Sequence, residues 1–151
     1  MGIRRFQKQL LMTLMGWAMS SIVLGLVMRR GGDPFRAGVG EQFVGWGVIN
    51  GVIATAGVIG TQRRAERTPT DSSASPTTEK RNLATLLWVN AGLDVFYVIG
   101  GALYGRKQGA TDGHRRGRGV GIVIQGGFLF FFDLINAIRV GRIEVRDDSQ
   151  L

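Results

Sequence analysis

Four stretches of this chain are almost free of charge, and each is close to the length of about 20 residues that one helix needs to cross the hydrocarbon core of a bilayer. They cover residues 9–28, 42–62, 82–105 and 119–138. The mean hydropathy of the whole chain, +0.10, hides this, because the charged residues are gathered between the apolar blocks. Buried helices of a soluble bundle would show a polar outer face at a 3.6-residue period, and these segments show none. The expected fold is therefore all-α: an integral membrane four-helix bundle made of two antiparallel helical hairpins, forming a single domain over residues 1–151.

The connections agree with that reading. Residues 29–40 and 106–118 are short, basic and rich in glycine, so each should close a hairpin. Residues 63–81, with TPTDSSASPTT at their centre, have the composition of a polar flexible linker. The run 9–28 exceeds a signal-peptide core and is followed by Arg29 and Arg30, so it is expected to stay as the first span. An even number of spans places both termini on one side, and a weak excess of Lys and Arg assigns that side to the cytoplasm. The expected location is the plasma (inner) membrane, multi-pass. Trp17 and Trp88 near the starts of helices 1 and 3, and Gly-Val-Gly at 38–40 and again at 119–121, raise an internal duplication of the hairpin.

The charges that remain inside the spans carry most of the information. Asp94 sits at the middle of the third, and a carboxylate there opposes insertion by about 2.5–3.5 kcal/mol, while each Leu, Ile, Phe or Val favours it by about 0.3–0.6. The helix still inserts, but Asp94 then needs partners. Asn90, Asp94, Tyr97 and Gly101 fall on one stripe, as do Gln125, Leu129, Phe132, Asp133 and Asn136 on the fourth span. With a rise of about 1.5 Å per residue, Asp94, Asn50 and Gln125 all lie about 18–20 Å from the face that carries the termini. Ser20 and Ser21 share that level, and Asn90 and Asp133 form a second layer nearer the face. Asn50 and Gln125 are expected to donate to Asp94. The candidate intramembrane polar site is thus Asp94, Asn50, Asn90, Gln125, Asp133 and Tyr97. Polar residues also serve as glue between helices, and the sequence leaves that reading open.

At the other end of the spans, Arg115, Arg116 and Arg118 in DGHRRGR are candidates for binding anionic lipid headgroups, with Glu41 on the same face as an ion-pair partner. His114 is the only histidine and there is no cysteine, so neither a metal site nor a disulfide is expected. No P-loop, HExxH, nucleophile elbow or dinucleotide fingerprint occurs, which predicts no catalytic residues, no enzyme activity and no cofactor. The net charge of +8 borders the spans and forms no single stripe, which argues against nucleic acid as a partner. Gly47 and Gly51, and Gly101 and Gly105, have the spacing that lets helices approach closely.

The pattern Asn90-x3-Asp94-x2-Tyr97-x3-Gly101, with Gln125-Gly126 and Asp133 on the next helix, resembles an uncharacterised family of small bacterial four-span membrane proteins. The resemblance implies bacterial origin and topology and carries no activity. The leading expectation is a non-enzymatic multi-pass membrane protein, an accessory or self-assembling subunit, with membrane lipids, further copies or a larger complex as partners. The alternatives are a small proton, cation or solute transporter or channel, and a binder of lipid, quinone or pigment that uses Phe128, Phe130, Phe131 and Phe132.

Overall fold

The structure, a computed structural model, describes residues 2–66 and 75–144. Four helices account for nearly all of them: α1 (Ile3–Arg29), α2 (Pro34–Glu66), α3 (Pro76–Gln108) and α4 (Gly113–Gly141). All four are long and apolar enough to cross a membrane. Their outward faces are apolar too, with Phe96 74% and Val52 64% exposed, which suits lipid and not water.

The helices start where local chemistry satisfies their first N–H groups. The carboxylate of Asp33 accepts from the backbone N–H of Phe35 (2.7 Å) and Arg36 (3.2 Å), ahead of Pro34. Ser75 caps α3 in the same way ahead of Pro76, accepting from Thr78, and Asp112 caps α4 by accepting from His114 and Arg115. Gly32, with φ of 71°, makes the turn out of α1. At the far end, Lys80 Nζ on α3 donates to the carbonyls of Gly141 (3.0 Å) and Ile143 (2.7 Å), supplying the donors that the last turn of α4 lacks.

These caps correct the expected boundaries. Residues 34–41 belong to α2, and residues 63–66 and 76–81, expected as linker, belong to α2 and α3. The polar residues there extend helices that an apolar segment has already nucleated. Residues 67–74, the middle of the expected linker, lie outside the described residues.

Each hairpin is internally packed, α1 on α2 and α3 on α4, and the hairpins meet mainly through α2 and α4. These two run parallel and meet where neither has a side chain. A Cβ on Gly38 would strike the His114 carbonyl and the Arg118 amide, and a Cβ on Gly117 would strike the Phe35 carbonyl and the Val39 amide. The two sets of contacts are reciprocal: Phe35, Gly38 and Val39 on α2 correspond to His114, Gly117 and Arg118 on α4. The same correspondence, a shift of about 80 positions along the chain, recurs within the hairpins. Gly25 lies against Gly40 as Gly105 lies against Gly119, and Gly47 lies against Ala18 as Gly126 lies against Val98. The hairpins are thus related by a pseudo-two-fold axis that runs along the helices, the geometry of a parallel repeat.

Candidate functional site

Because α4 stands between α2 and α3, the backbones of those two helices never approach within 8 Å of each other in the described residues. The gap is a cleft of about 900 Å³. Leu129, Phe132 and Asp133 of α4 form its floor, and Leu10, Leu11 and Leu14 of α1 add to its apolar lining. It runs from the middle of the helices, at Asn50 and Asp94, to the face that carries the termini, at Gln7, Thr61 and Glu79.

Two polar atoms buried beside this cleft have no partner. Asn50 Nδ2, a donor, and Asp94 Oδ2, an acceptor, are buried and make no hydrogen bond, although their residues are only 3% and 5% exposed. Such atoms are rare in folded proteins and carry a desolvation cost. The expected bonds from Asn50 and Gln125 to Asp94 do not form. Asp94 instead meets Asp133, with which it is in hydrogen-bonding reach. The two expected layers therefore cross, because helical depth does not fix the direction in which a side chain leans.

Gln125 is fully buried and belongs to a different network. Its Oε1 accepts from the Trp17 indole at 2.9 Å and its Nε2 donates to Ser21 at 3.1 Å, tying α4 to α1. Trp17 also stacks on Phe128, with ring centroids 3.7 Å apart. Asn136 is satisfied by its own helix, donating to the Phe132 carbonyl. Asn90 is half-buried and lines the cleft. Tyr97 does not: it is 46% exposed and packs edge-on against Trp46. Ser20 is likewise exposed. The buried stripe of α3 is Leu87, Ala91, Asp94 and Gly101, so Tyr97 stands beside it. Among the described residues, no three His, Cys, Asp or Glu side chains are grouped to hold a metal ion.

A second, smaller groove of about 370 Å³ lies between α1 and α4. It is the pseudo-two-fold mate of the cleft: Leu10 and Thr13 stand where the cleft has Asn90 and Leu93, and Phe128 and Phe132 stand where it has Ile49 and Ile53. Ile135, Asn136 and Arg139 similarly replace Ala56, Gly57 and Gly60. One copy of the groove is thus narrowed by large side chains, and the other is kept open by small ones and carries Asp94. Only the tertiary pairing exposes this contrast.

On the opposite face, Glu41 takes both Arg118 (Nε at 3.6 Å) and His114 (Nε2 at 3.3 Å). Arg115 pairs with Asp112 at 3.3 Å and donates to Gln108. Arg116 is exposed and has no ion pair among the described residues. Of the three arginines expected to face lipid headgroups, two are therefore engaged in closing loops and helix contacts. Phe128, Phe130 and Phe132 are half-buried, and Phe131 is 61% exposed.

No curated protein and no solved structure matches this chain. A family of unknown function, DUF6992, matches residues 13–134, a region that takes in the Trp17 to Gln125 network, the glycine crossing and both carboxyls of the cleft. With most of its length covered, the chain belongs to the DUF6992 family.

Proposed function

We propose that this is a non-enzymatic multi-pass membrane protein that binds a membrane-soluble small molecule in the cleft between its two hairpins. The observation that carries the reading is a mostly apolar cleft large enough for a ligand, whose lining brings Asn50, Asn90, Asp94 and Asp133 together, with Asn50 Nδ2 and Asp94 Oδ2 buried and unpartnered beside it. Burying a polar group without a partner costs about 1–3 kcal/mol, and a ligand toward which these side chains turn removes that penalty. The open side between α2 and α3 faces the bilayer, so the ligand enters from lipid. The termini lie on the cytoplasmic side, and the cleft opens toward that side.

An accessory or self-assembling subunit has less support. The glycine pairs that would serve such assembly are already used, because Gly47, Gly101 and Gly105 close contacts within the chain. The ligand reading is tested by mass spectrometry of the protein released from native membranes. A bound small molecule is expected in the unmodified protein and absent after Ala56→Phe, which fills the cleft. A wild-type protein that carries nothing, and binds no lipophilic probe of any charge, refutes the reading.

A further inference from the structure

We infer that the cleft selects a lipophilic cation and takes it up in exchange for a proton. The inference rests on the cleft being a ligand site, as proposed above, and adds the charge of its occupant. In a chain with a net charge of +8, the described residues that line the cleft include no Lys, Arg or His. Among the described residues, the ionisable groups that face it are Asp94 and Glu79 from α3 and Asp133 from α4, with none from α1 or α2. Asp94 and Asp133 are in mutual contact at the floor. Two carboxylates this close, in a medium of low dielectric, cannot both stay ionised without a compensating charge.

Only two kinds of compensation are available: protons on the carboxyls, or a positive ligand. The empty cleft is neutralised by protons and the loaded cleft by the ligand. The step balances as Asp–CO₂H plus cation giving Asp–CO₂⁻·cation plus H⁺; one O–H bond breaks, and the proton leaves for water. The Asp94 and Asp133 carboxyls, both in the lining, supply the charge that pairs with the cation. Trp46 and Phe132 add aromatic rings to the lining, which suit a cation. Leu10, Leu14, Ile53 and Leu86 receive its apolar body. Asn50 in the lining adds an amide, so the natural ligand has an acceptor oxygen near its cationic centre, as an amphipathic amino alcohol does.

The test uses the full chain in lipid nanodiscs, with empty nanodiscs as the blank, and three probes of similar shape. These are tetraphenylphosphonium, tetraphenylborate and neutral triphenylphosphine oxide. The expected result is binding of the phosphonium over the borate, with a Kd that falls by up to about tenfold per pH unit and release of one proton per ligand in calorimetry. Asp94→Asn and Asp133→Asn, each checked for folding by thermal unfolding, should weaken phosphonium binding at least about tenfold and flatten the pH dependence. If the cation binds with a Kd independent of pH, exchange is overturned. If the anion or the neutral probe binds as well as the cation, the charge selectivity is overturned while the ligand site stands. If none of the three binds, both fall.

Discussion

The indole N–H of Trp17 donates to Oε1 of Gln125 at 2.9 Å, across the boundary between the two hairpins. At the pseudo-equivalent place in the other half, Tyr97 meets Trp46 edge-on, with ring centroids 5.1 Å apart and no hydrogen bond in the pair. One inter-hairpin contact is thus locked by hydrogen bonding and its mate is an aromatic contact beside the open cleft. Gln125→Leu leaves the Trp17 N–H and the Ser21 hydroxyl without this partner. A loss of about 1 kcal/mol in unfolding free energy is expected in detergent, with a shift in tryptophan emission, and Gln125→Glu should retain part of it.

Asp94 gives the opposite prediction. It holds a carboxyl in the interior beside that of Asp133, with one oxygen unpartnered, so replacing the residue by Leu removes the cost of burying that group along with its contact to Asp133. Asp94→Leu should raise the melting temperature, by an amount corresponding to about 1–3 kcal/mol, while abolishing cation binding. A functional site that costs stability behaves in this way, and a structural polar contact does not.

The glycine crossing supplies a contrast between two substitutions of one kind. Gly117→Ala drives a methyl group into the Phe35 carbonyl and should lower stability by about 1–3 kcal/mol, by forcing α2 and α4 apart. Gly60→Ala meets nothing within 4 Å and should change stability by no more than about 0.5 kcal/mol. Unfolding in graded denaturant measures both.

Lys80 holds the end of α4 from a different helix, through the carbonyls of Gly141 and Ile143. Lys80→Met keeps the aliphatic stem and removes the donors. Hydrogen exchange at residues 140–143 should accelerate, and stability should fall by about 0.5–1 kcal/mol.

Glu41 joins the hairpins at the loop face, but in a half-exposed setting. Glu41→Gln is expected to lower stability by less than about 1 kcal/mol, with an effect that shrinks as salt rises, because water and ions screen such pairs. Thermal unfolding at two salt concentrations checks this.

The sequence by itself determined the number of helices, their approximate spans and their alternation with basic connections. The physical reason is that about 20 uncharged residues in lipid have one way to satisfy their backbone groups, and it is a local one. It also marked Asp94, Asn50, Gln125 and Asp133 as interior, since polar side chains in a span avoid lipid. Helix ends were less legible, because Ser75 and Asp33 begin their helices through caps in stretches whose composition reads as linker. The pairing of side chains was decided only by the tertiary structure. That Gln125 belongs to Trp17 and Ser21, that Asp94 meets Asp133, and that one of two pseudo-symmetric grooves stays open all depend on how α4 is seated between α2 and α3. That seating is fixed where Gly38 and Gly117 let two backbones touch, a long-range fit of shape that no local pattern of residues encodes.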